Sequence, residues 1–398
     1  MYFPYLFARR GELLAFRDTV KQLGKDAALI PVFEPVSSNI DSLRLALKAA
    51  QTEEHPVYLV MNPILGKFED NDADADLWRE EAVNLVKTFS IVRPTFLGGP
   101  ASTAGNFKRF VKAWAGREIG VVFRNTALSP SAVAAEAKGQ FASSRFFLTG
   151  GTPSPSTLTA LGTGNCVFVE DRFQVQPSNA RYKGIEPFTG SHLVFKSLGY
   201  AGFGDYACLP GKFRDGGSLP AAVAIHLTFF RKNLEVFVEH FVSKSQLQSD
   251  RDIPKKMREA IADAVAAHSR SGDSFGITAA YQKYINAHKT KADVGLQKNK
   301  RWSVAHHLDL MSGLIAGRFK QAPSCRGGRC INIDHCSNGR PAQLYWGRFI
   351  FAPWRANSFL RVTRPSLPEP SSYRGGSPTV SGACLAILSA RPDLSRLR

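Results

Sequence analysis

Charged residues stand just after four apolar runs of this sequence. They are Glu34, Arg124, Asp171 and Asp205. The carboxylates of Glu34, Asp171 and Asp205, if drawn together, supply the oxygen ligands that a divalent metal such as Mg²⁺ prefers. The guanidinium of Arg124 would neutralise negative charge that develops on a phosphorylated substrate. With Asp205 and Arg124 as catalytic residues, this set predicts a metal-assisted hydrolase that acts on a phosphorylated or nucleic-acid substrate.

Four further residues extend the candidate site. Asn62 follows another apolar run, and Gly204 and Tyr206 flank Asp205, so these three are candidate ligand-binding residues. His226 is the candidate proton-transfer group, because it alternates with the apolar row of its own strand. A structural explanation stays open for each: polar residues after strands often cap helices or hold turns, and a buried histidine is often only hydrogen-bonded.

The elements that must position these residues form a repeating pattern. Eight short apolar runs alternate with amphipathic stretches long enough for one helix each: Tyr2–Leu6, Ala28–Phe33, Val57–Met61, Pro94–Leu97, Ile119–Phe123, Arg145–Leu148, Cys166–Val169 and Gly199–Phe203. The runs are mostly apolar rather than strictly alternating, as in a parallel sheet that helices cover. The pattern predicts an α/β fold, a (β/α)8 TIM-barrel-like core over residues 1–206, with an open doubly wound sheet as the alternative. Either fold gathers the strand ends at one edge.

The pattern changes after the eighth run. Residues 207–320 are predicted to form a β-hairpin and a set of helices packed on the core. The predicted strands are Ala222–Phe229 and Leu234–Phe241, and the predicted helices are Ile253–His268, Thr278–Ala287 and Trp302–Ala316. His226 and His240 would lie opposite one another only in one register of the hairpin.

The last part of the chain, residues 321–398, differs in composition from the rest. It contains 11 Arg, no Lys and four of the six cysteines. Such a segment is predicted to be disordered, or to arise from translation in a shifted reading frame. The alternative is an appended zinc-binding segment, whose candidate ligands would be Cys325, Cys330, His335 and Cys336.

Overall composition narrows the class of protein. The net charge is +18, the hydrophobic fraction is 44% and the mean hydropathy is -0.16. These values describe a globular chain, and no apolar run reaches the roughly 20 residues that span a bilayer. We therefore expect a cytoplasmic protein without a membrane partner. The positive charge is compatible with nucleic acid or a phosphorylated ligand as a partner, or with a basic surface alone.

Seven segments resemble a known family. They are Met1–Leu6, Ile30–Pro35, Met61–Pro63, Gly199–Tyr206, Ala224–Thr228, His240–Ser243 and Trp302–Leu308. In their order they are similar to the Beta-protein family of phages and bacteria, over residues 1 to about 315. The resemblance implies an architecture rather than a reaction, and it draws attention to Glu34, Asn62, Asp205 and His226. Its link to phages keeps a second hypothesis open, that of a non-enzymatic module in phage defence or a mobile-element cassette that recognises protein or nucleic acid.

Overall fold

A computed structural model describes residues 1–69, 71–216, 219–271 and 275–319 of the chain. The described residues fall within one compact unit. The predictions for residues 321–398, including the alternative zinc segment, lie outside the described residues.

The central feature is a sheet of eight parallel strands. The strands are β1 (Tyr5–Leu6), β2 (Val32–Phe33), β3 (Val57–Val60), β4 (Val92–Gly98), β5 (Gly120–Phe123), β6 (Arg145–Thr149), β7 (Cys166–Glu170) and β9 (Gly202–Asp205). Their order in the sheet is their order in the chain. Each of the eight apolar runs therefore contains or overlaps one strand, which confirms the predicted repeat.

The sheet closes on itself between β1 and β9. Tyr2 forms a parallel bridge with Phe203, and the Phe3 backbone N–H donates to the Phe203 carbonyl over 2.8 Å. Glycine is required in β9 because a Cβ on Gly204 would lie 2.1 Å from the Phe3 carbonyl oxygen. The closure confirms the barrel and decides against an open sheet.

Helices cover the outside of the barrel. They are α1 (Arg10–Leu23), α2 (Asp41–Thr52), α3 (Asp72–Thr88), α4 (Ala104–Ala113), α5 (Pro130–Glu136), α6 (Pro155–Leu161) and the short α7 (Ser191–Val194). The first of them illustrates the pattern: α1 buries Leu13, Phe16 and Val20 along one face. The helix ends at Gly24, whose φ of 58° lies in the left-handed region that glycine tolerates best.

Two buried layers result from the alternation of side chains along the strands. One layer fills the barrel and includes Tyr5, Tyr58 and Phe147. The other lies between the barrel and its helices and includes Phe33 and Phe203. The layer that a residue faces therefore depends on whether its position along the strand is odd or even.

A second, three-stranded antiparallel sheet follows the barrel. It consists of β8 (Ile185–Thr189), β10 (Ala224–Phe230) and β11 (Val236–Val242). The predicted hairpin of β10 and β11 is confirmed, whereas β8 was not predicted. Three helices complete the unit: α8 (Ile253–Ser271), α9 (Ala279–Thr290) and α10 (Leu296–Ile315). None of the helices in the described ranges has both the length and the apolar character that a membrane span needs.

Candidate functional site

The carboxyl end of the barrel holds a buried ion pair between Glu34 and Arg124. Arg124 Nη1 donates to Glu34 Oε1 over 2.9 Å, and Nη2 donates to Oε2 over 2.5 Å. The Tyr5 hydroxyl donates to Glu34 Oε2 over 2.6 Å and accepts from Arg124 Nη2 over 2.7 Å. The Glu34 side chain is fully buried, while that of Arg124 is 18% exposed. Because both oxygens of Glu34 have donors, this carboxylate is held as a fixed partner and not as a free base.

Aromatic rings surround this ion pair. Tyr206 stacks on Phe7 with ring centroids 5.8 Å apart and also lies against Tyr5. Burial raises the pKa of Tyr206 to about 12, although the nearby Arg124 opposes the shift. Burial and the Glu34 carboxylate likewise raise the pKa of Tyr5. Both phenols therefore stay protonated at neutral pH, and the Tyr5 hydroxyl acts as a hydrogen-bond donor to Glu34.

Residues 209–214, here called the covering segment, lie over the barrel mouth. The Gly211 backbone N–H donates to Asp171 Oδ1 over 3.0 Å, and the ring of Phe213 packs edge-on against Phe7. A Cβ on Gly211 would lie 2.6 Å from the Tyr206 ring, so only glycine lets the segment come this close. Asp171 thus anchors the covering segment.

A small cavity of about 90 Å³, here called the cationic pocket, lies beside the covering segment. Four cationic side chains line it: Arg9, Lys212, Arg214 and Lys300. Arg9 lies over the Phe213 ring, with 4.4 Å from its guanidinium carbon to the ring centroid, and donates to the Arg214 carbonyl. Lys300 Nζ donates to Glu12 Oε1 over 2.9 Å.

Asp205, a predicted metal ligand and catalytic residue, faces away from this mouth. It shares the outward face of β9 with Phe203, two residues earlier. His307 Nε2 lies 3.2 Å from both of its oxygens, and Tyr2 OH and the Ala207 backbone N–H donate to Oδ1 over 2.7 and 2.8 Å. Burial alone would raise the pKa of Asp205, but His307 and these donors hold it below its usual range. The residue therefore joins β9 to α10 within the core.

The predicted metal set of Glu34, Asp171 and Asp205 is not brought together. The first pairs with Arg124, the second holds the covering segment, and the third pairs with His307. Within the described ranges, no group of three or more His, Cys, Asp or Glu residues could hold a metal ion. The physical reason is the alternation of β9, which turns Asp205 into the outer layer.

His226, the predicted proton-transfer group, lies in the second sheet and not in the barrel mouth. It pairs directly with His240 across the hairpin, and their Nδ1 atoms are 2.7 Å apart. Burial, and then the neighbouring His240, lowers the pKa of His226 to about 3. The ring of Tyr182 packs against it at 4.5 Å. These contacts are those of a neutral, partly buried histidine that packs within the second sheet.

Of the three predicted ligand-binding residues, only Tyr206 lies beside the Glu34–Arg124 ion pair at the barrel mouth. Asn62 makes two 2.8 Å hydrogen bonds to the backbone N–H and carbonyl of Leu97, so its amide fixes the register of β3 and β4. Gly204 serves the closure of the barrel. Both contacts are structural.

Two larger clefts open at the same end of the barrel. One, of about 720 Å³, is lined by Glu170, Arg172 and Ser191, and the other, of about 670 Å³, by Arg79 and Arg109. Each of their arginines has a side-chain partner: Arg172 pairs with Glu170, Arg79 pairs with Asp76, and Arg109 donates to Asn106. The cationic pocket is different, because no side-chain partner for Lys212 or Arg214 occurs among the residues with described positions.

Sequence reasoning missed Tyr5, Phe7 and the four cations of the cationic pocket. A signal for two of these cations was available, since Lys212 and Arg214 follow the eighth strand closely. Lys300 comes from α10, about 300 residues from Arg9 along the chain, and no local pattern joins the two.

No protein-family model matches the chain, and no curated protein matches it significantly. The resemblance to the Beta-protein family therefore stays a prediction, and the function has to be argued from the barrel mouth itself.

Proposed function

We propose that this protein binds a ligand with a phosphate or similar anionic group at the mouth of its barrel. The observation that carries the proposal is the convergence of Arg9, Lys212, Arg214 and Lys300 on one pocket. These cations come from three separate parts of the chain. Only one carboxylate, Glu12, lines the same pocket, so its positive charge is largely uncompensated.

The start of helix α1 adds to this positive field. Arg9 is the N-cap of α1, and its side chain makes no capping hydrogen bond. The first N–H groups of a helix lack partners within the helix and carry partial positive charge. An anion in the cationic pocket would lie near these groups, as anions do at many helix N-termini.

The size of the pocket limits what it encloses. Its volume of about 90 Å³ is small beside the 720 and 670 Å³ of the two larger clefts. One phosphate group fits this space, whereas a whole nucleotide does not. The rest of the ligand would extend past the exposed side chains of Lys212 and Arg214 into solvent.

Binding of an anion is common to both functions that the sequence predicted. A phosphoester hydrolase needs such a site for its substrate, and a module that recognises nucleic acid needs one for the backbone. For metal-assisted hydrolysis the described residues offer no metal-binding group. We therefore propose anion binding as the function that the geometry supports best, and we assign no catalytic step to the pocket.

Calorimetric titration of the full chain with inorganic phosphate tests the proposal. The double variant Lys212→Ala/Arg214→Ala should bind phosphate at least about tenfold more weakly, since hydrogen bonds to charged groups contribute about 1.5–3 kcal/mol each. The control Lys112→Ala/Lys138→Ala removes the same charge from exposed helical positions and should bind like the parent protein. Absence of phosphate binding by the parent, or an equal loss in the control, would overturn the proposal.

A second titration addresses nucleic acid. A single-stranded oligonucleotide that contacts several phosphates should lose affinity steeply between 50 and 200 mM salt. A small phosphate ester that occupies one pocket should lose far less.

A further inference from the structure

The cleft of about 670 Å³ at the carboxyl end of the barrel, here called the α3–α4 cleft, is distinct from the cationic pocket. Residues of α3 and α4 form its walls, and the loops that follow β3 and β4 complete it. The two sites share no lining residue. The volume of the cleft lies within the range of about 300–1,000 Å³ that is common for sites of small molecules.

The floor of the α3–α4 cleft is apolar. Trp78, Phe96 and Phe110 line it, and the ring centroids of the last two are 5.4 Å apart. Ile64 continues this surface to the rim, where its side chain is 41% exposed. Such a surface favours an apolar ligand group, because binding removes both apolar surfaces from water.

Most polar groups of the cleft already have partners within the protein. The indole N–H of Trp78 donates to a backbone carbonyl over 2.9 Å, and the Asn62 amide bonds to the backbone of Leu97. The Ser102 hydroxyl donates to the Leu97 carbonyl over 3.2 Å. The polar groups that remain for a ligand belong to Asn106 and to two arginines.

These two arginines are the only charged residues among the described residues of the lining. Arg79 pairs with Asp76 of its own helix, in an exposed ion pair of the kind that contributes little to stability. Arg109 Nη2 donates to the Asn106 amide oxygen over 2.7 Å, and this partner is neutral. The charge of Arg109 is therefore not compensated by a carboxylate among the described residues.

We propose that the α3–α4 cleft binds an amphipathic monocarboxylate, a molecule with one carboxylate on an apolar body. The body lies on the apolar floor, and the carboxylate accepts from the planar guanidinium of Arg109. One negative charge matches the single uncompensated cation, whereas a phosphomonoester carries about −1.5 to −2 charges at neutral pH. Asn106 lies in the first turn of α4, where the helix dipole also favours negative charge.

Calorimetry on the full chain with three ligands tests the inference. Octanoate has both parts of the proposed ligand, 1-octanol lacks the charge, and acetate lacks the apolar chain. We expect octanoate to bind at least about tenfold more tightly than 1-octanol, the lower limit for one hydrogen bond to a charged group. It should bind at least about sixtyfold more tightly than acetate, since three buried CH₂ groups contribute about fourfold each.

The variant Arg109→Met then locates the carboxylate. It keeps an apolar side chain without the guanidinium, so octanoate should bind at least about tenfold more weakly, while the affinity for 1-octanol stays the same. The control Lys108→Met removes a charge from the next position of α4, which is exposed and outside the lining, and should leave octanoate binding unchanged. The variant Lys212→Ala/Arg214→Ala should also bind octanoate like the parent protein.

The outcomes separate this inference from the proposed function. Absence of octanoate binding by the parent protein, or equal binding of octanoate and 1-octanol, overturns the inference. Octanoate binding that Arg109→Met leaves unchanged overturns it as well, and a loss in the Lys212→Ala/Arg214→Ala variant would then assign octanoate to the cationic pocket. Phosphate binding is a separate measurement in every case. The comparison of ligands on the parent protein needs no variant, so it decides the question even if Arg109→Met fails to fold.

Discussion

Removal of the Arg124 guanidinium should reveal how strongly the buried ion pair supports the barrel mouth. In Arg124→Met, the fully buried Glu34 carboxylate keeps only the Tyr5 hydroxyl as a side-chain donor. Loss of one partner of a buried pair typically costs about 3–5 kcal/mol. In Glu34→Gln the remaining charge is Arg124, which is 18% exposed and reaches water, so we expect a smaller loss of about 1–3 kcal/mol.

The double variant Glu34→Gln/Arg124→Met separates the pair from its surroundings. It contains no unpaired buried charge, so its loss of unfolding free energy should be smaller than the sum of the two single losses by about 2 kcal/mol or more. Urea unfolding followed by circular dichroism measures all four proteins, with equal m-values as the condition for comparison. Arg251→Met, on an exposed loop, should change stability by less than about 0.5 kcal/mol.

A defined result would refute this reasoning. If Arg124→Met lowers the free energy of unfolding by less than about 1 kcal/mol and the two changes are additive, Glu34 is hydrated and the pair does not exist as described. The mouth of the barrel would then be open to water beneath the covering segment.

Three further changes test other parts of the structure. Gly204→Ala should lower the free energy of unfolding by about 3 kcal/mol or more, because its Cβ would lie 2.1 Å from the Phe3 carbonyl oxygen. The control is Gly139→Ala, whose Cβ would meet no atom within 4 Å and which should leave the stability unchanged. Asn62→Ala breaks two backbone hydrogen bonds and should lower the unfolding midpoint in urea by an amount equivalent to about 1–3 kcal/mol, with anion affinity unchanged. In the folded protein the pKa of His226 is lowered from 6.5 to about 3, so the residue is neutral there. Between pH 3 and 6.5 the unfolded chain therefore binds one more proton than the folded chain, and the free energy of unfolding falls as the pH drops through this range. His226→Gln should therefore reduce the slope of unfolding free energy against pH by about 1.4 kcal/mol per pH unit between pH 4 and 6, measured by urea titrations, and an unchanged slope would contradict the assignment.

The barrel was predictable because its signal is local. The strands are short, largely buried apolar runs, and each of the first six is followed by a helix. The strand β8 was missed for an equally local reason. Its residues, Ile185–Thr189, include Glu186 and Pro187, and it forms the edge of the second sheet, where proline and charge are tolerated.

The candidate site was predictable only in part. Sequence position alone put Glu34, Arg124 and Tyr206 at one end of the barrel, and the structure brings these three together. It could not decide which layer each side chain faces: Asp205 is adjacent to Tyr206 but points to the opposite side of β9. Nor could it place Lys300 at the same pocket as Arg9, since that placement depends on how α10 packs on α1.

The seam between β1 and β9 has a consequence for how this chain is made. Tyr2 and Asp205, which are hydrogen-bonded to each other, are 203 positions apart in the sequence. At a synthesis rate of about 5–20 residues per second, β1 waits about 10–40 s for its second neighbour after it leaves the ribosome. During that interval the first and the last strand of the growing sheet each have one unpaired edge. Because β1 keeps its unpaired edge longest, it is the strand of the nascent chain most exposed to mispairing and the one that a chaperone would most need to protect.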